Sequence, residues 1–430
     1  MKKYEAYKNS GIEWIGQIPE GWSVIPMKHY FYMTGRIGWQ GLKADEFTED
    51  GPYLVTGTDF VNGKVCWERC YHISEERYNE APEIHVEKGD LLITKDGTVG
   101  KLALIDEKPE KVSLNSHLLI LRPTKNNVDN HFVYWALQSI NFKDYTGLAS
   151  SGSTMASLSQ EKIGEYPLLF PSPSEQQAIA SYLDYKVGQI DASISAINTQ
   201  IDDLKSYRQS IISEAVTKGL NPNVPMKDSG VEWIGLIPEG WKVLKEKYIF
   251  ENLDYLREPI SSESRERNNP IYDYYGASGV IDKIDHYNVE GKVLLIGEDG
   301  ANLVMRNLPL IYKAVGRFWV NNHAHILKPK VGIDYDYMYY TMEAADYMPF
   351  ITGAAQPKLS QENLNRVSYP VPPFSEQKSI ASYLDVKTLK IDAAITSLEQ
   401  QREDLNSLKQ SIISEAVTGK IDIRDWKPNK

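Results

Sequence analysis

The sequence predicts an α+β chain: two mixed, mostly β domains joined by two long antiparallel coiled-coil helices, laid out as a pseudo-twofold tandem repeat. Three observations predict it. The run SEQQAIASYLDYKVGQIDASISAINTQIDDLKSYRQSIISEAVTKG at Ser174–Gly219 returns at Ser375–Gly419 as SEQKSIASYLDVKTLKIDAAITSLEQQREDLNSLKQSIISEAVTG. The opening run SGIEWIGQIPEGW at Ser10–Trp22 returns at Ser229–Trp241 as SGVEWIGLIPEGW, with 11 of 13 positions identical. Between these matched ends the two middles differ, the second being 18 residues shorter. One scaffold has been duplicated, and its central regions were free to diverge.

The helices come first because their pattern is the strongest. Pro171 and Pro173 precede the first copy, and Pro370, Pro372 and Pro373 precede the second. Proline is tolerated just before a helix and disfavoured inside one. Ser174 with Gln177 fits a capping box; Ser375 is matched by Lys378, so the second box is incomplete. Apolar residues fall at Ile190, Ile194, Ile197, Ile201, Leu204 and Ile211, a heptad seam. The second copy repeats it at Ile391, Ile395, Leu398, Leu405 and Ile412, with Arg402 where the first has Ile201. Gly219 and Gly419 are natural stops. A helix from Glu175 to Thr217 would run ~65 Å at ~1.5 Å per residue. A seam of that length needs a partner, and the second copy supplies one.

The middles, about 23–170 and 242–369, read as strands with a few short helices. Asp90–Thr94 and Lys292–Ile296 are strand-like, followed by the turns Lys95–Gly97 and Glu298–Gly300. Ser116–Leu121 and Asn322–Leu327 are further strands, ending in Arg122–Pro123 and Lys328–Pro329. Helices are expected over Asn130–Ile140 and Tyr335–Ala345. The second middle lies between the end of one helix and the start of the next. A domain whose start and finish are neighbours makes those helix ends neighbours, so the helices run antiparallel with one domain near each end. The boundaries expected are 1–170, 171–220, 221–370 and 371–430. The repeated Trp14, Trp22, Trp233 and Trp241 read as scaffold packing.

Composition sets limits. The chain has 430 residues and 42% hydrophobic content, enough for two or more domains with real cores. No apolar run of about 18 residues is present, so no membrane span is expected. The N-terminal stretch is basic without an apolar core, so it is not a secretory signal. Cys66 and Cys70 lack partners at zinc-site spacing and read as structural thiols of a cytoplasmic protein. Net charge is −11. Taken alone this counts against nucleic-acid binding, unless basic residues cluster locally or a partner supplies phosphate contacts.

At this point the pattern resembles the specificity subunit of a type I restriction–modification enzyme. The resemblance is carried by the paired W-I-G-x-I-P-x-G-W runs at Trp14–Trp22 and Trp233–Trp241. LSQE at 158–161 and 359–362, the P-x-x-S-E-Q run before each helix, and SIISEAVT at 210–217 and 411–418 add to it. It spans nearly the whole chain. It implies that 1–170 and 221–370 are target recognition domains, each reading one half of a split site on double-stranded DNA. It implies that 171–220 and 371–430 carry the spacer helices, which set the gap and bind methyltransferase subunits, two of them expected. Restriction subunits are an option the sequence leaves open. Catalysis would reside in those partners, and no cofactor or metal is expected. Two readers on a stiff ruler suit a bipartite, asymmetric site whose halves lie about one helical turn apart, ~34–36 Å.

Base readout needs donors and acceptors presented from polar loops. The candidates in the first domain are Lys95, Thr98, Lys101, Asn115, Ser116 and the loop Ser151, Gly152, Ser153 and Thr154. In the second they are Asn302, Arg306, Asn321, Asn322, Gln356 and Lys358, with Arg265 and Arg267 in a polar run suited to gripping phosphate. For each, a solvated turn is the commoner reading, and about one in three is expected to touch DNA. Other chemistry falls away. Asp96-Gly-Thr-Val-Gly-Lys101 lacks the first glycine and the final Ser/Thr of a phosphate loop. Asn269-Pro-Ile-Tyr272 has Ile271 where an amino-methyltransferase motif has proline, with no glycine-rich cofactor loop. His117 and His323 sit in matched apolar strands and read as core histidines. A coiled-coil adaptor with two protein-binding end domains is the alternative, which the acidic balance suits. A stand-alone enzyme is the third reading.

Overall fold

The computed structural model describes residues 2–36, 42–147, 158–261 and 271–427. It divides into two compact units: residues 1–197 with 400–430, and residues 198–399. The long helices run Pro173–Lys218 and Phe374–Val417, of 46 and 44 residues. Each is cut by the unit boundary, so each unit holds the first half of one helix and the last half of the other.

In the first unit the hairpin Tyr7–Asn9/Gln17–Pro19 is followed by Ser23–Pro26, paired with Pro167–Phe170. A four-stranded antiparallel sheet runs in the order Leu102–Leu104, Leu91–Thr94, Leu118–Pro123, Phe31–Thr34. A second sheet places Thr48–Val55 between Val112–Leu114, parallel, and Tyr71–His72, antiparallel. The helices Asn130–Gln138 and Ile140–Thr146 cover the first sheet, and Phe132, Val133 and Leu137 join its core.

The second unit repeats the frame and changes the middle. Its hairpin is Met226–Asp228/Leu236–Pro238, and Lys242–Lys245 pairs with Ser368–Val371. One six-stranded sheet follows, in the order Phe250–Asn252, Ala324–Pro329, Val289–Gly297, Ile311–Val320, Tyr272–Gly276, Gly279–Ile284. The helix Tyr335–Ala344 packs on it through Tyr337, Met338 and Met342.

Within each unit the helix halves run antiparallel. In the first, Asp191 meets Lys409 at 2.7 Å, while Tyr182, earlier in one helix, meets Trp426, beyond the end of the other. In the second, Arg208 reaches Asp392 at 2.9 Å, and Gly219 lies against Glu376. The seam residues Ile190, Ile412, Ile211 and Ile391 are buried. Both helices stop at a left-handed glycine, Gly219 and Gly419. A Cβ at Gly419 would stand 2.4 Å from Pro19 and 3.2 Å from Trp22; one at Gly219 would stand 3.1 Å from Trp241. The repeated P-E-G-W run therefore closes over a helix end in each unit. Trp22 and Trp241 are buried, Trp14 stacks on Tyr166, and Trp233 stands edge-on to Tyr369.

Two local expectations change. The first helix begins at Pro173, so Ser174 lies inside its first turn and Gln177 is exposed. The buried neighbour Gln176 ties the helix start down instead. It accepts from the backbone of Asp129 at 2.8 Å and donates to the carbonyls of Asn127 and Pro171. Gln377 does the same for Asp334, Gly332 and Pro372. Secondly, the strands expected from Ser116 and Asn322 begin two residues later, at Leu118 and Ala324. His117 and His323 thereby fall in the preceding turns, with side chains 65% and 49% exposed. They are not core histidines; His325, with an alternating place inside the sheet, is the buried one.

Candidate nucleic-acid interface

In the first unit the buried strand Leu91–Thr94 ends in a tight turn over residues 95–101. Thr94 fastens that turn from below: its hydroxyl donates to the Thr98 carbonyl at 2.5 Å and accepts from the Lys101 amide at 2.9 Å. Thr98 and Lys101 point to solvent, and Lys95 is half-buried. The backbone of Lys95 joins three segments. Its amide donates to the His117 carbonyl, and its carbonyl accepts from Leu158. Asn115 shapes the neighbouring turn, its side-chain oxygen accepting from the Ser116 hydroxyl at 3.1 Å and the His117 amide at 3.3 Å. The His117 ring faces Asp96 at 3.6 Å.

The second unit builds the same lattice with other side chains. Glu298 takes the place of Lys95: its amide donates to the His323 carbonyl, and its carbonyl accepts from Leu359. Asn321 matches Asn115, accepting from the His323 amide at 2.8 Å. His323 meets Asp299 at 2.8 Å. The third segment, residues 352–358, is a hairpin in which Thr352 and Lys358 exchange backbone hydrogen bonds. Gly353 is required there, because a Cβ would stand 2.5 Å from the Gln356 carbonyl at a positive φ. Gln356 and Lys358 are exposed on this hairpin.

Electrostatics separate the two lattices. The Lys95 ammonium makes no ion pair among the described residues, whereas Glu298 is paired with Arg257 and with Lys358 at 3.0 Å. Burial pushes the Glu298 carboxyl up, but the Arg257 and Lys358 hydrogen bonds outweigh it and hold it below the usual range. Underneath, His325 lies between Asp254 at 2.6 Å and the Leu359 carbonyl at 2.8 Å, so both ring nitrogens face acceptors. Burial pushes Asp254 up as well, but the His325 hydrogen bond and charge, the Ile326 amide and the Arg257 charge together hold it below the usual range.

The structure thus gathers Lys95, Asn115 and Ser116 in one lattice, with Thr98 and Lys101 on the far side of the same turn. It gathers Asn321, Asn322, Gln356 and Lys358 in the other. Asn322 is exposed, and Asn321 is buried with its amide oxygen committed to the turn. Asn302 and Arg306 stand apart on the helix Asn302–Met305 and its cap. The Asn302 amide closes its own loop on Leu308 and Pro309, and the Arg306 guanidinium donates to the Ala345 carbonyl at 2.7 Å and the Glu343 carbonyl. Ser151, Gly152, Ser153, Thr154, Arg265 and Arg267 lie outside the described residues. Sequence reasoning missed Asp96, His117, Asp299, His323 and Arg257. The signal for the first four was present: a D-G pair and an N-x-H triplet recur in both otherwise unlike middles. Among the described residues no group of three or more His, Cys, Asp or Glu side chains could hold a metal ion, and no helix is long and apolar enough to cross a membrane.

Comparison with known proteins follows the same division. The family model described as the type I restriction modification DNA specificity domain matches residues 37–203 and again residues 238–406. The chain is 25% identical to the putative type I restriction enzyme MjaX specificity subunit of Methanocaldococcus jannaschii, over 95% of this chain and 96% of that protein. It is 22% identical to the MjaVIII specificity subunit of the same organism, over 95% of each. Among solved structures, one described as the basis of complex assembly and conformational transition of the type I R-M system contains a chain that superimposes with a TM-score of 0.70. At 14% identity, over 93% of this chain and 98% of that one, the likeness is one of fold.

Proposed function

We propose a function from one premise: the chain belongs to the type I restriction modification DNA specificity family and carries that family's domain twice. It is a sequence-specificity subunit. Each target recognition domain, 1–170 and 221–370, reads one half of a bipartite, asymmetric site on double-stranded DNA. The helix segments 171–220 and 371–430 dock two methyltransferase subunits, and restriction subunits join the assembly. Methylation and cleavage belong to those partners, in the cytoplasm; this chain positions them and catalyses neither.

One observation carries the reading. The two domains keep a single three-segment backbone lattice while replacing its central side chain with one of opposite charge, Lys95 against Glu298. A frame held constant under variable chemistry suits two readers of different words. The features both share contact what both half-sites share. We therefore assign His117 with Asp96, and His323 with Asp299, to the sugar–phosphate backbone, which positions without specifying. Asn115 and Asn321, also shared, shape the turns, and Lys95, Ser116, Asn322, Gln356 and Lys358 are left to the base edges.

The test is a gel shift with the methyltransferase present, at several salt concentrations, on duplexes of varied sequence. Selective, salt-sensitive binding supports the reading. The net charge of −11 favours the adaptor alternative. Assembly with the methyltransferase but indifference to DNA sequence would establish that instead.

A further inference from the structure

Each unit closes its helix pair against the opening hairpin, but with different numbers of chain segments. In the first unit two segments meet there. Residues 2–6 lead into the strand Tyr7–Asn9, and residues 420–427 follow the second helix. They are laced together: the Asp422 amide donates to the Lys2 carbonyl, Lys2 reaches Asp425 at 2.6 Å, and Lys420 donates to the carbonyls of Ile15 and Gln17. Ile421 and Ile423 are buried in the unit's core. Trp426 stands edge-on to Tyr182 at 5.3 Å and lies against Tyr185 at 5.6 Å, leaving Tyr182 only 6% exposed.

In the second unit one segment does the work of two. The first helix runs out through residues 219–225 directly into the strand Met226–Asp228. That segment reads GLNPNVP and has no aromatic residue. The face equivalent to Tyr182 and Tyr185 is left bare. Tyr383, the matching tyrosine of the repeated IASYLD run, is 37% exposed, Val386 is 55% exposed and Leu389 one step further is also exposed. Beside Tyr383 a cavity of about 440 Å³ is lined by the apolar Ile211, Ala215, Leu220 and Met226 and by the polar Glu214, Lys218 and Asn221. That size falls within the ~300–1,000 Å³ typical of ligand pockets.

We propose that this cleft docks a short segment of a partner protein carrying two aliphatic side chains and an aromatic one, the chemistry that residues 421–426 supply in the first unit. The two units share the helix faces and the hairpin, so what satisfies one face satisfies the other. This chain's own tail is not the occupant, because Lys2, Ile15 and Gln17 hold it in the first unit. The inference rests on the reading of the chain as a subunit that assembles with others. It makes the two ends of the repeat unequal: one apolar face is filled from within, and the other is completed on assembly.

The probe is a labelled peptide of residues 418–430, TGKIDIRDWKPNK, titrated onto the full-length chain. Saturable binding at one site is expected, weakened at least tenfold by Tyr383→Arg, by Val386→Glu, and by replacing the peptide tryptophan with alanine. Val386 is exposed, so its variant folds; matching circular dichroism melts check this. In the methyltransferase complex, Val386→Glu is expected to weaken subunit association at least tenfold while the bound DNA sequence stays the same. No peptide binding, or binding indifferent to both substitutions, overturns the proposal. So does a concentration-dependent dimer of the chain that Val386→Glu abolishes, since a second copy's tail would then be the occupant. Failure of the specificity reading looks different: the wild-type complex would show no sequence-selective binding at all.

Discussion

Glu246 stands on the first turn of a short helix, Glu246–Ile249, with both carboxylate oxygens buried and without a hydrogen-bond partner among the described residues. Burial pushes its carboxyl up to about 7; Asp254 adds to the shift, while His325 and Lys330 oppose it. The unfolded chain loses that proton near the ordinary value of 4.5. Between those two values the folded state holds more protons, so stability falls as pH rises through the window and is level above it. The whole effect amounts to ~3 kcal/mol. Glu246→Met removes the group, so its urea midpoint should exceed the wild type's at pH 8 and the gap should close by pH 4.5. A gap independent of pH would show that the carboxyl is not the cause. Lys95 offers the second test at this scale. Lys95→Ala should relax selectivity at one base position, at ~1–3 kcal/mol, with the salt slope unchanged; a uniform loss of affinity with the slope lowered by about 1 would put the ammonium on a phosphate instead. Residues like these mark where the sequence is hard to read. Lys95 and Arg306 are both cations on turns, yet Arg306 reaches the carbonyls of Glu343 and Ala345, partners far along the chain that no local pattern reveals. His117 looked buried because the apolar run Leu118–Leu121 follows it, and only the strand's actual start separates the two.

At the scale of elements, the long helices were legible almost to their ends, because a heptad seam repeated twice leaves few alternatives. Their starts were not. Capping logic pointed to Gln177, while the buried Gln176 makes the contacts, since its partners Asn127 and Asp129 come from a loop distant in sequence. Gln176 and Gln377 each lock a long helix to the cap of the helix beneath it, Asn130–Gln138 or Tyr335–Ala344. Gln377→Leu leaves the Asp334 amide without its acceptor, together with two carbonyls. It should cost about 1–3 kcal/mol. The loss should appear as earlier hydrogen exchange in the helix Tyr335–Ala344, with Gln176→Leu doing the same for Asn130–Gln138 and neither variant affecting the other's helix. The middles resisted reading for a different reason. Unit one splits its strands into sheets of four and three, and unit two joins six in one. Strand runs such as Leu91–Thr94 and Val293–Ile296 look alike in sequence, and pairing order depends on contacts between segments many residues apart.

For the whole molecule, the sequence repeat and the compact units do not share boundaries. The repeat starts anew at Ser229, whereas the units divide each long helix, because each helix half is buried with its own unit. Residues 1–197 need 400–430 to complete their core, and Ile412, Ile413 and Val417 sit with Trp22 and Ile190 in one cluster. The ends of the helices are buried with the cores of the two domains, and the units divide at the helix middles, at residues 197/198 and 399/400. If the helices set the gap between half-sites, removing one heptad from both should preserve the seam and shorten the ruler by ~10 Å, at ~1.5 Å per residue. That is about three base pairs at ~3.4 Å each. Methylation mapping across duplexes with graded spacers should then show the preferred gap shortened by about that amount, with both half-site words unchanged. A preferred gap that stays put would mean that the partner subunits, not these helices, set it.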